Sequence, residues 1–190
     1  MEKIESFHFE GKEKEKFKNL TIFTTTFYKD DEASRVRASI AEKLFENIDK
    51  LDIECVVVDG GSSEWFIDKV KAFKNVRIVI EPSLKMGESR REALRIAMEK
   101  SRDNDDALFL WVEPEKEDLI KKESLLAMIE PLKSGAADVV VPSRMSKDSY
   151  PKFQKWIEER ANKRAGQLFD ELENDKLFDA EVDLWFGPKM

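Results

Sequence analysis

Two hydrophobic periods alternate along the chain. Short β-branched or aromatic runs at residues 20–25 (LTIFTT), 53–58 (IECVVV), 76–80 (VRIVI), 107–112 (ALFLWV) and 137–141 (ADVVV) predict strands. Between them, apolar residues recur at helical spacing. Residues 33–51 carry Val36, Ile40, Leu44, Phe45 and Ile48 on one stripe, and helices are also expected over 64–73, 88–102 and 116–132. A last helix is expected from Tyr150 to about Lys176, with Phe153, Trp156 and Phe169 on its apolar face. The first 19 residues are mostly charged, with GKEKEKFK at their centre, and read as a surface arm.

Five strands separated by helices predict an α/β domain, a mostly parallel sheet with helices on both faces in three layers. Right-handed crossovers place all the strand C-terminal ends on one edge, where open α/β sheets bind ligands. Thr26 and Phe27, Asp59 to Ser62, Glu81 to Gly87, Glu113 to Glu115 and Pro142 to Arg144 should gather there. The expected organisation is an arm over 1–19, a ligand-binding core over 20–149 and a C-terminal region over 150–190.

Composition narrows the chemistry. A chain of 190 residues suits one domain, which at this size buries roughly 70% of the surface its unfolded chain exposes. Its 33 Lys and Arg against 40 Asp and Glu give a net charge of −7, and 38% of the residues are charged. That balance argues against a nucleic-acid partner, which needs a clustered positive face. No apolar run reaches the roughly 18 to 20 residues of a membrane helix, and MEKIESFHFE has no signal-peptide core, so a cytoplasmic location is expected. One cysteine, Cys55, cannot form an internal disulfide, and with one histidine, His8, it cannot build an ordinary zinc site. Cys55 itself, inside an apolar run, reads as a core residue.

Three stretches on the expected rim carry candidate chemistry. Asp59-Gly60-Gly61-Ser62 ends a buried strand, and its two glycines let the chain turn tightly, so Asp59 can offer a carboxylate to a base or a ribose. The same residues equally suit a βα turn with a capping serine. Lys85, Arg90 and Arg91 surround Gly87 at a loop-to-helix junction, a pattern suited to a diphosphate or to a solvated helix face. Trp111-Val112-Glu113-Pro114-Glu115 ends a strand with two carboxylates that by charge suit Mg²⁺ or Mn²⁺, or simply face solvent.

The order of these pieces resembles glycosyltransferase family 2, the nucleotide-sugar transferases of GT-A fold that include dolichol-phosphate-mannose-synthase-like enzymes. LTIFTTTFYKDDEA looks like the opening family strand and turn, and VVVDGGSS like the Val-Val-Asp-Asp-Gly-Ser element. KMGESRREAL resembles the Gly-loop and following helix, and LLAMIEPLKSGAADVVVPSR the helix, strand and Ser-Arg after the metal motif. The resemblance covers residues 20 to 144 and implies a Rossmann-like fold binding a UDP-sugar or GDP-sugar donor. It places Thr25 and Phe27 at the base, with Phe27 able to stack, and Asp59 accepting a hydrogen bond from the base beside Gly60. It places Arg91, Lys85 and Arg144 near the diphosphate.

The departures from the family pattern are as informative. The metal-binding Asp-x-Asp is absent, and the two possible registers leave Glu113, or Glu113 with Glu115, in its place. DLWFGP at 183–188 resembles the start of the acceptor half, which implies Asp183 as acceptor-side base and an acceptor region that is short or cut off by Met190. The implied reaction moves a sugar from a nucleoside diphosphate to an acceptor hydroxyl, of unassigned identity, with cations stabilising the departing diphosphate. A binding or assembly domain of the same fold without turnover is the alternative. A nucleotidyltransferase would need a Gly-rich first loop, and Thr24 to Tyr28 contains no glycine. The aromatic stripe of the last helix predicts core packing or a homo-oligomer surface.

Overall fold

The computed structural model describes residues 17–142 together with Trp156 and Arg160. Residues 1–16 of the arm, all but Trp156 and Arg160 of the helix expected from Tyr150 onward, and Arg144 and Asp183 lie outside the described residues. The chain divides into two compact units, residues 1–140 with 189–190 and residues 141–188.

The first unit holds β1 (Leu20–Thr26), α1 (Glu32–Lys50), β2 (Glu54–Asp59), α2 (Glu64–Lys71), β3 (Val76–Ile80), α3 (Met86–Lys100), β4 (Leu108–Trp111) and α4 (Lys122–Lys133). The four strands form one parallel sheet in the order β3-β2-β1-β4. The three-layer, Rossmann-like α/β class expected from the sequence is the one found.

Strand alternation builds the layers. On one face, Leu20, Ile22, Cys55, Val57, Val76 and Leu110 join the buried residues of α1, α2 and α4 in the main core. On the other, Phe23, Val56 and Val58 pack against Ala93, Ile96 and Ala97 of α3. Covering both faces is what makes the strands read as continuous apolar runs. Each fully buried large side chain, Phe45 and Phe66 among them, contributes about 1.5–3 kcal/mol of burial free energy.

The helices start and stop for local reasons. Asp31 caps α1, its Oδ1 accepting from the Ser34 backbone N–H at 2.8 Å, with Glu32 in the first turn. The buried stripe of α1 is Ala38, Ala41, Leu44, Phe45 and Ile48, so Val36, expected on that stripe, is instead 59% exposed. The helix expected to start at Lys116 starts at Lys122, because a 3₁₀ turn at Glu117–Leu119 comes first and delivers Ile120 to the core.

The fifth strand, expected at residues 137–141, is not formed among the described residues. After α4 the chain turns at Gly135 (φ +71°), and the N–H groups of Ala136 and Ala137 both donate to the Pro131 carbonyl. Val139 is 61% exposed. β-branched composition specifies a strand only where a neighbouring ladder and a covered face are available, and residues 137–140 pair with neither edge.

The topology positions the site. From β1 the chain steps outward to β2 and β3 with α1 and α2 on one face, then α3 crosses the opposite face and β4 pairs with the other side of β1. The strand order therefore reverses between β1 and β4. At such a switch point the connections leave in opposite directions and open a crevice beyond the strand ends. Within the second unit, the Arg160 guanidinium lies 4.8 Å from the centroid of the Trp156 ring, which is 51% exposed.

Candidate functional site

A cleft of about 480 Å³ opens at that reversal. Its floor and walls come from Thr25 to Tyr28 at the end of β1 and just beyond it, Gly60 after β2, and Trp111, the last residue of β4, with Glu113 to Glu115 after it. Arg37 of α1, Pro82 and Leu84 of the loop after β3, and Met86, Ser89 and Arg90 of α3 complete it.

Side-chain hydrogen bonds lock the strand ends. Thr24 Oγ1 donates to the Val112 carbonyl at 2.6 Å, tying β1 to the segment that carries Glu113. Thr26, paired in register with Asp59, donates its hydroxyl to Asp59 Oδ2 at 2.6 Å. Asp59 Oδ1 accepts the N–H groups of Gly61 and Ser62 at 2.9 and 2.6 Å, and Oδ2 also accepts the Ser62 hydroxyl at 2.5 Å. The carboxylate is 0% exposed. Asp59 therefore holds the turn together beneath the cleft and does not line it, and acceptance of a hydrogen bond from a base is not open to it in this geometry.

The turn that Asp59 organises needs its glycines. Gly61 has φ +93°, and a Cβ there would sit 3.2 Å from Pro82 Cβ. A Cβ on Gly60 would contact Phe27 Cδ2 at 3.5 Å, so the backbone lies against the Phe27 ring. Phe27 is 51% exposed and lines the cleft, with Lys29 Nζ over its ring 5.6 Å from the centroid.

The Tyr28 side chain belongs to the main core. It is fully buried, packs edge-on against Phe66 at 4.6 Å, and donates its hydroxyl to Glu115 Oε1 at 2.8 Å. Burial first, and the Glu115 charge second, push its pKa well above the ordinary 10.0, so it remains a protonated donor. Glu115 Oε1 also meets Arg37 at 2.6 Å, and the Arg37 guanidinium lies 5.4 Å from the Tyr28 ring centroid. Across the cleft, the Arg90 guanidinium lies 4.5 Å from the Trp111 ring centroid. Arg90 Nε is buried with no hydrogen-bond partner.

Of the residues predicted from sequence, Thr25, Phe27, Gly60, Glu113 and Glu115 come together in one cleft. Lys85 and Arg91 do not line it and are exposed. Lys85 stands at the N-cap of α3, its backbone N–H donating to Glu88 Oε2 at 2.8 Å. The α3 cation in the cleft is Arg90, one position earlier. Helical spacing carries that signal: Ala93 and Ala97 face the sheet, and Arg90 lies three and seven residues before them. Arg37 was missed although it lies four residues before Ala41 and seven before Leu44, both buried on α1.

The acidic pair fits a divalent cation poorly. Glu115 is already bonded to a guanidinium and a phenol, and no group of three or more His, Cys, Asp or Glu able to hold a metal occurs among the described residues. Also among the described residues, no helix is long and apolar enough to cross a membrane. No protein-family model matches the chain, and no curated protein matches it significantly.

Proposed function

We propose that the protein binds a nucleoside diphosphate-sugar in the cleft at the β1/β4 reversal and transfers the sugar to an acceptor hydroxyl. The observation that carries this is the meeting of an exposed aromatic face, Phe27, with two guanidinium groups, Arg37 and Arg90, in a switch-point cleft of about 480 Å³. The volume lies within the range of small-molecule sites, roughly 300–1,000 Å³. A base stacks on Phe27, and the diphosphate lies within reach of the arginines, whose planar forks match phosphate oxygens. Positive charge fixed beside the leaving diphosphate favours the transition state, in which charge accumulates on that group. The resemblance to glycosyltransferase family 2 over residues 20 to 144 supplies the transfer chemistry. Arg144 as a further nucleotide contact and Asp183 as acceptor-side base belong to the same proposal.

One observation favours a second reading, a domain that binds the nucleotide-sugar without turnover. Among the described residues, no group of three or more His, Cys, Asp or Glu able to hold a metal includes the carboxylates that follow β4. Titration of UDP- and GDP-sugars by calorimetry, followed by assays of hydrolysis and transfer, separates the two. Binding with turnover supports transfer, binding without turnover supports the second reading, and no binding of either nucleotide-sugar overturns both.

A further inference from the structure

We propose that the cleft holds the diphosphate of its ligand with its own arginines instead of a divalent cation, and that Glu115 occupies Arg37 until the ligand displaces it. The inference rests on the nucleotide reading above and specifies how the anionic part is recognised.

Arg37 and Arg90 reach the cleft from helices on opposite faces of the sheet, so an anion between β1 and β4 is approached from both sides. Arg90 is held for this role by its neighbours: its guanidinium lies over the Trp111 ring and its Nε is buried without a protein acceptor. A buried donor without a partner is costly, and the charged guanidinium that lines the cleft favours an anion there. Arg37 has a partner, but an exchangeable one. Its side chain is 59% exposed, and ion pairs at that exposure contribute little. When Arg37 turns to a phosphate, Glu115 keeps its hydrogen bond from the buried Tyr28 hydroxyl and is not orphaned. The pair therefore shields the cleft's negative charge in the free protein and releases a cation on binding. A metal would have to displace Arg37 from Glu115 to gain a second carboxylate.

UDP, GDP and inorganic pyrophosphate are titrated calorimetrically in EDTA and again with Mn²⁺, for the full chain and its variants. All three probes should bind in EDTA, with Mn²⁺ changing each dissociation constant by no more than about threefold, less than a charged hydrogen bond supplies. Arg90→Ala and Arg37→Ala should each weaken binding about tenfold or more, and Glu115→Gln should tighten it severalfold by releasing Arg37. Circular dichroism of each variant confirms that it is folded, and Arg37→Lys, which retains charge without the fork, should fall between wild type and alanine. Binding that requires Mn²⁺ overturns this proposal and leaves the nucleotide reading standing. Metal-free pyrophosphate binding without preference for UDP or GDP overturns the nucleotide reading and leaves the arginine site standing. Unchanged affinity in Glu115→Gln overturns the competitor role, and no binding of any probe overturns everything claimed for the cleft.

Discussion

Asp59 ends β2 and Glu115 follows β4 by four residues, two carboxylates on the same edge of one sheet with opposite fates. Asp59 is fully buried and accepts hydrogen bonds from Thr26, Gly61 and twice from Ser62. Glu115 is 21% exposed at its side chain, lines the cleft, and is bonded to one buried phenol and one exposed guanidinium. The difference follows from what surrounds each group. Two glycines and a serine after β2 let the chain fold back so that its own N–H groups enclose the short aspartate. Pro114 offers no N–H, and the longer glutamate reaches across to other elements. A carboxylate enclosed by backbone donors builds structure. One held by an exposed cation can exchange partners.

The strongest way to break this contrast is to remove Asp59. Asp59→Ala leaves two backbone N–H groups and two hydroxyls beneath the cleft without their acceptor, and should cost about 3–5 kcal/mol in urea unfolding. Asp59→Asn keeps the shape but turns a donor toward donors, and should cost part of that. A loss below about 1 kcal/mol for the alanine variant would place Asp59 with Glu115 as an exchangeable group.

Alkaline pH probes the same two regions separately. Burial pushes the Cys55 thiol on β2 far above its ordinary 9.0, and burial with the Glu115 charge pushes Tyr28 above 10.0. Both protons are held more tightly in the folded state, so stability is intact below those ordinary values and is lost as pH rises past them. The expected slope is about 1.4 kcal/mol per pH unit above pH 9, doubling above pH 10. Urea midpoints measured from pH 7 to 11 should show both breaks. Cys55→Ala should remove the first and Tyr28→Phe the second, and a flat profile through pH 10 would contradict the enclosure of both groups.

Gly61→Ala sharpens the account of the Asp59 turn. A positive φ and a 3.2 Å approach to Pro82 both oppose a Cβ, and the expected loss is about 1–2 kcal/mol in thermal or urea unfolding. Gly135→Ala, at φ +71° with open space around it, should cost less, because only the backbone preference is violated.

Much of this was legible in the chain. Strands with apolar residues on both faces gave themselves away as continuous runs, and the strand ends fixed which loops meet. What a run of valines cannot state is whether a ladder is waiting for it, which is why residues 137–141 misled. Nor does charge alone state direction. Arg90 and Arg91 are the same residue type one position apart, yet a helix turns about 100° between them, putting one in the cleft and one in solvent. The stripes through Ala93 and Ala41 would have selected Arg90 and Arg37. The enclosure of Asp59 was open to no such argument, because it depends on four donors of Thr26, Gly61 and Ser62 converging from two strand ends.

The smallest expected effect is also the one on which the exchangeable half of the contrast turns. A double-mutant cycle on Arg37→Ala and Glu115→Ala isolates their coupling from the separate loss that follows when the buried Tyr28 hydroxyl loses its acceptor. For a pair whose arginine side chain is 59% exposed, the coupling in folding stability should be about 0.2–1 kcal/mol and should shrink as salt is raised. A weak coupling means the guanidinium can leave at little cost when an anion enters. A salt-insensitive coupling above about 2 kcal/mol would instead make Glu115 as fixed as Asp59, and Arg37 could not be released to a ligand.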